Sequence, residues 1–161
     1  MDPLFGKSAS ASTVDTSTSN RKTRRLSSKG KGVKFKRVYT TPGMDPYDTI
    51  AWDRRSSKIT NPDGSTVFEL KNLEVPKSWS QLATDILASK YCRKAGVPET
   101  GHEVSARQVV TRIARSLRRA GDDFGGYFAD VEDGDTFEAE LTHMLVNQIG
   151  AIGPLFTSKM G

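Results

Sequence analysis

The residues best suited to chemistry are few and widely spaced. Cys92 is the only cysteine and is followed by Arg93 and Lys94, cations that favour a thiolate. It has no second thiol, no paired histidine and no glycine-rich nucleophile turn beside it, so it reads as a helix-end filler. The two histidines are far apart. His102 shares a loop with Glu99 and Glu103, which falls short of a metal-ligand spacing, and His143 reads as a surface or half-buried helix residue. Asp130, Glu132, Asp133 and Asp135 form an acidic stretch without the twelve-residue calcium pattern, so they read as complements to a helix N-terminus. Arg112, Arg115, Arg118 and Arg119 lie along one drifting helical face. That row is either a solvated face or a docking face for an acidic surface or phosphates. No glycine-rich phosphate cradle is present, and no catalytic constellation follows from these residues.

The elements that must position them occupy one modest domain with a basic tail. The chain has 161 residues, of which 35% are hydrophobic, enough for one small core. Residues 1–37 hold ten basic and two acidic groups, a net of +8, whereas the other 124 residues hold 14 basic and 17 acidic, a net of −3. The high isoelectric point therefore belongs to the tail, and the body lacks the charge of a nucleic-acid-binding domain. Residues 1–34 read as a disordered basic tail whose contact with nucleic acid would be weak and through phosphates. No apolar run reaches 18 residues and no secretory signal is visible, so a cytoplasmic protein without a membrane partner is expected.

Order is expected to begin near Val38, with an irregular extended arm through Tyr47. The turn signal Asn61-Pro-Asp-Gly64 predicts a β-hairpin pairing Ser57–Thr60 with Thr66–Leu70. Trp79, Leu82, Ala83, Ile86, Leu87 and Tyr91 recur at helical spacing after a Ser78 or Ser80 cap, with Gly96 and Pro98 beyond. A second helix is predicted from the capping box Ser105-Ala-Arg-Gln108 to Gly121. A third runs from Asp135-Thr-Phe-Glu138 toward Gly150, and Gly125-Gly126-Tyr127-Phe128 forms a glycine-hinged loop before it. The fold class is thus α+β: disordered tail, extended arm, β-hairpin and three helices.

The order of these segments resembles the N-terminal region of the adenosylcobalamin-dependent, class II ribonucleotide reductases. The resembling pieces are Phe35–Asp48, Ile59–Phe68, Val75–Thr84, Ala88–Tyr91, Arg93–Pro98, Ser105–Val109, Gly126–Phe128 and Phe137–Leu145. They assign residues 35–148 to that N-terminal domain and leave 149–161 as a divergent or truncated end. The resemblance implies a unit that packs against a large α/β barrel, in the same chain or supplied in trans, within an enzyme that can be a homodimer. The barrel would carry the thiyl-radical cysteine, the reducing cysteine pair, the cobalamin site and the nucleotide pocket. None of those residues maps onto this sequence, and Cys92 matches none of the catalytic cysteines. The expectation is therefore a domain that binds no cofactor by itself, present as a fragment, a split subunit or a decayed copy. Its docking surface is expected to include Trp52, Trp79, Tyr127 and Phe128. The reading from another class is a non-enzymatic adaptor that binds an acidic partner or nucleic acid through the basic tail and the arginine-rich helix.

Overall fold

The computed structural model describes residues 32–153. Most of the expected tail (1–31) and the last eight residues lie outside them. The Asn61–Gly64 turn closes as its residue types require. Gly64 takes a φ of +84°, and the Asp63 carboxylate accepts the Ser65 N–H at 2.8 Å. Strands β1 (Trp52–Thr60) and β2 (Thr66–Pro76) form a two-stranded antiparallel sheet, with Ile59 opposite Phe68 and Ser57 opposite Leu70. The expected register is correct, but the hairpin continues to Trp52 opposite Pro76. Two steps of β1, from Arg55 to Ser57, face three steps of β2, from Leu73 to Leu70. The extra residue is absorbed as a bulge where Asn72 adopts a φ of +57°. This shift puts Leu70, Leu73 and Val75 all on the buried face.

Helix α1 (Gln81–Ile86) starts at Ser80, whose hydroxyl accepts the Ala83 N–H at 3.1 Å. It passes into a π-helical turn over Leu87–Tyr91, where the Cys92 N–H bonds back to the Leu87 carbonyl at 2.9 Å. Helix α2 (Ala106–Phe124) is capped by the Ser105 hydroxyl, and the Gln108 side chain reaches back to the Val104 N–H at 2.8 Å. Val109, Val110, Ile113 and Ala114 form its buried line.

Three helix boundaries differ from the sequence expectation, one of them the end of the third helix, which comes at Val146 and not at Gly150. Helix α2 does not stop at Gly121 but runs to Phe124 and ends at Gly125, where φ is +72°. Helix α3 (Val131–Val146) begins four residues before Asp135, with Asp130 as its N-cap accepting the Asp133 N–H at 2.9 Å. The acidic stretch is therefore the first turn of α3, where Glu132 and Asp133 complement the dipole.

Order also begins earlier than Val38. Val33 pairs with Phe128, donating to the Tyr127 carbonyl at 2.7 Å and accepting the Ala129 N–H at 3.1 Å. The arm then runs along α3, held by side-chain carboxylates. Asp133 accepts the Phe35 N–H at 2.7 Å. Glu140 accepts the Tyr39 and Thr40 N–H groups and the Thr40 hydroxyl. Burial alone would raise the Glu140 pKa, but the hydrogen bonds from Thr40, Tyr39 and Val38 hold it below the usual carboxylate value. Tyr39 stacks on the His143 ring at 5.2 Å, so His143 is part of the arm's seat.

The larger core joins Leu70, Leu73 and Val75 of β2 to Trp79, Leu87, Ala88, Val109 and Ile113. A smaller cluster gathers Tyr47, Val110 and Val146. At the α2–α3 corner Phe35, Phe128 and Phe137 pack ring to ring at 5.2 to 5.7 Å. Gly121 is buried beside this trio, and a Cβ there would sit 2.8 Å from Phe128 Cζ. Alanine at an ordinary helix position gains about 1 kcal/mol over glycine. Gly121→Ala is expected to reverse that sign and destabilise by about 1–2 kcal/mol, because the buried Phe128 ring is already packed against Phe35, Tyr127 and Phe137. Urea unfolding of the two chains measures it, and an unchanged or raised midpoint refutes it.

Candidate functional site

The residue types singled out for chemistry do not converge. Cys92 is buried, and burial, followed by the nearby Glu103 carboxylate, pushes its thiol up to about 12. The cations that follow it in sequence do not activate it, so it is an inert core residue. Among the described residues no cluster of histidine, cysteine, aspartate or glutamate could hold a metal ion. Glu103, expected near His102, instead forms a salt bridge to Arg112 at 2.8 Å.

The arginine row is largely engaged within the fold. Arg118 pairs with Asp122 at 2.9 Å and Asp135 at 2.7 Å, lying over Gly134, where a side chain would collide with its guanidinium. Arg115 faces Glu138 at 3.4 Å and Arg119 faces Asp123 at 3.7 Å, both on the surface. Every arginine of the row thus has a carboxylate beside it, and an acidic partner would compete with those neighbours.

The four aromatics expected to form one surface separate into two groups. Trp79 and Phe128 are interior residues, 9% and 8% exposed, and this corrects their assignment to a surface. The Trp79 indole donates to the Val146 carbonyl at 2.8 Å, tying the residue before the α1 N-cap to the end of α3. Trp52 is half-buried, edge-on to Tyr47 at 5.8 Å and covered by the Arg107 guanidinium at 4.5 Å. Only Tyr127 is exposed.

Tyr127 lies among apolar residues that the sequence reading missed. Phe124 at the end of α2 is 60% exposed, Tyr127 43%, Val131 at the start of α3 72%, and Val33, bonded to Tyr127 through the backbone, 48%. The sequence signal for them is their position beside the Gly125-Gly126 break, off both amphipathic helix lines. Four exposed large apolar side chains thus fall around the α2–α3 connection and the segment paired with it, the kind of feature that marks a contact surface.

Two clefts lie among the described residues. One of about 240 Å³ is lined by apolar side chains of α1, the π-helical turn, α2 and α3, together with Gly150, Ala151 and Ile152. The other, of about 210 Å³, lies between β2 and the π-helical turn, where the Lys94 ammonium sits 4.7 Å from the centre of the Phe68 ring. Among the described residues no helix is long and apolar enough to cross a membrane.

Comparison with known proteins supplies what the geometry does not. Residues 53–148 match the family model described as class II vitamin B12-dependent ribonucleotide reductase. That span runs from the start of β1 to just past α3. The vitamin B12-dependent ribonucleotide reductase of Streptomyces coelicolor is 47% identical over 122 residues, covering 74% of this chain and 12% of that protein. Those of Streptomyces avermitilis and Bradyrhizobium diazoefficiens are 44% and 38% identical, over 80% and 74% of this chain and 13% and 12% of their own length. The chain thus spans about an eighth of the curated relatives it matches. A hairpin and three helices, matched almost from end to end, place this chain in the class II vitamin B12-dependent ribonucleotide reductase family, as its N-terminal domain.

Proposed function

We propose that this domain serves an adenosylcobalamin-dependent ribonucleoside-diphosphate reductase by docking on its catalytic barrel, and so contributes to deoxyribonucleotide synthesis for DNA replication. The observation that carries the reading is the apolar corner of Val33, Phe124, Tyr127 and Val131, on a domain whose relatives are about eight times longer. The barrel is the occupant because it is the part of those relatives that this chain does not match.

The domain's own residues do not fit the cofactor. Both clefts are smaller than the ~300–1,000 Å³ typical of pockets for drug-sized ligands, and a corrinoid is larger still. No step of the chemistry is routed through this domain. Ribonucleotide reduction requires a thiyl radical and a reducing thiol pair, and the sequence contains a single buried thiol. The domain's contribution is to cover and position the barrel.

Co-expression with a class II reductase barrel lacking its own N-terminal region is the test. A complex is expected, weakened at least tenfold by Phe124→Asp or Tyr127→Asp. The 161-residue chain alone, given adenosylcobalamin and a dithiol, should reduce no ribonucleotide. Failure to form a complex overturns the docking reading. Turnover by the chain alone, undiminished in Cys92→Ser, overturns the chemical one. Charge reversal at Arg21, Lys22, Arg24 and Arg25 should leave the complex intact. Loss of all partner binding in that variant would favour the adaptor.

A further inference from the structure

The loop between the π-helical turn and α2 closes on itself. Glu103 donates its N–H to the Arg93 carbonyl at 2.9 Å, and its carboxylate accepts the Arg93 N–H at 2.8 Å. A second rung joins Val97 and Gly101, each donating its N–H to the other's carbonyl, with Gly101 at a φ of +72°. The buried ion pair from Glu103 to Arg112 anchors the base of this loop on α2. Lys94 and His102 stand one step inside the base rung, on opposite limbs, and both line the 210 Å³ cleft against β2.

The lining of this cleft is sorted by polarity. Leu70, Ala88 and Cys92 are its buried apolar floor, and the half-buried Phe68 ring stands beside them. Burial keeps the Cys92 thiol protonated, so the floor gains no negative charge from it. The two carboxylates of the lining already have cations: Glu103 has Arg112 at 2.8 Å, and the exposed Glu69 has Lys71 at 3.5 Å. Lys94 differs from both, since the neighbour of its ammonium is the Phe68 ring, at 4.7 Å from the centre.

We propose that this cleft binds a small organic anion, its acid group at Lys94 and His102 and its apolar body on Phe68, Leu70 and Ala88. The acid group is a carboxylate or a phosphate monoester, because either accepts hydrogen bonds from an ammonium and an imidazole N–H. The volume corresponds to about seven water molecules at ~30 Å³ each, so a ring or a short chain with one acid group fills it. The loop is already closed by its own hydrogen bonds, so little of it has to be ordered when the ligand arrives. This proposal needs no barrel, so it stands or falls apart from the docking reading.

Titrating the isotope-labelled 161-residue chain with benzoate, phenyl phosphate and the uncharged isostere benzamide, followed by NMR, tests it. One of the two anions is expected to shift the amides of Phe68, Lys94 and His102 saturably, with a Kd on the order of 1 mM for so small a ligand. The tighter of the two identifies the acid group. Benzamide should bind at least tenfold more weakly. Lys94→Gln removes the charge of an exposed side chain and leaves the core untouched, and it should weaken binding at least fivefold. Arg119→Gln, also on the surface, should leave binding unchanged. Shifts that do not saturate, equal binding of benzamide, full affinity in Lys94→Gln or an equal loss in Arg119→Gln each overturn the proposal. Inorganic phosphate binding as tightly as phenyl phosphate also overturns it, since the apolar floor would then contribute nothing.

Discussion

Arg112→Leu is expected to lower the domain's stability by about 3–5 kcal/mol, the usual penalty for leaving a buried charge without its partner. Its partner is Glu103, and the two side chains are only 12% and 4% exposed. The guanidinium holds the carboxylate through two contacts, at 2.8 and 3.1 Å, and donates a third hydrogen bond to the Tyr91 carbonyl at 3.0 Å. Glu103 in turn accepts the Arg93 N–H at 2.8 Å. One ion pair thus ties the end of the π-helical turn and the loop after it to α2. For a domain of this size the loss corresponds to a melting-point drop on the order of 10–20 °C. Arg112→Lys should recover little of it, since an ammonium cannot make the paired contacts of a guanidinium. The double variant Arg112→Leu with Glu103→Leu should be more stable than Arg112→Leu alone, because no orphaned charge remains. Thermal unfolding by circular dichroism reads all three. A single-variant loss under about 1 kcal/mol would show that water reaches the pair.

The second large effect separates core from contact surface. Trp79→Ala is expected to destabilise by about 3–5 kcal/mol, through lost burial and the cavity left behind. It also removes the hydrogen bond to the Val146 carbonyl, which lies on a fully buried residue. Tyr127→Ala should change stability by less than about 1 kcal/mol, since the ring is substantially exposed and contacts the fold mainly edge-on to Phe128. Denaturant midpoints provide the first half of the comparison, and capture by the barrel provides the second. Tyr127→Ala should weaken capture while the fold stays intact. A Trp79→Ala cost no greater than that of Tyr127→Ala would return Trp79 to the surface.

The parts of this fold legible in sequence are those specified by local chemistry. The Asn61–Gly64 turn sets the hairpin register because proline, aspartate and glycine each dictate a backbone choice. Ser80 and Ser105 cap their helices for the same reason. The reading stopped at Leu70 because the bulge at Asn72 interrupts the alternation, although buried residues resume at Leu73. Helix α3 reads from Asp135 in sequence because Asp135-Thr-Phe-Glu138 has the spacing of a cap; the true cap is Asp130, and Gly134 inside the helix gives room to Arg118, on another helix. The arm's anchors, Asp133 and Glu140, carry no local signature at all. Of the aromatic quartet, counting large side chains could not tell Trp79 and Phe128, which the core absorbs, from Tyr127, which it leaves outside. The patch partners Phe124 and Val131 were passed over because both lie off the helical stripes used to read the core. The family was legible because short segments in a fixed order carry information that no single site does.

The arm's clasp on α3 has a consequence for how the chain assembles. Glu140 bonds the backbone 101 residues before it, whereas the hairpin closes over a five-residue connection. Contacts of such wide sequence separation must overcome the entropy of closing a long loop before they return any energy. The hairpin and the α2–α3 pair are therefore the early structure, and the arm settles last. Synthesis reverses that order of appearance. The arm leaves the ribosome first and then waits while about 100 residues are added, a delay of roughly 5–20 s at ~5–20 residues per second. During that interval Phe35 has no Phe137 to pack on and Tyr39 no His143, so the segment that completes the domain is also the one left longest unprotected.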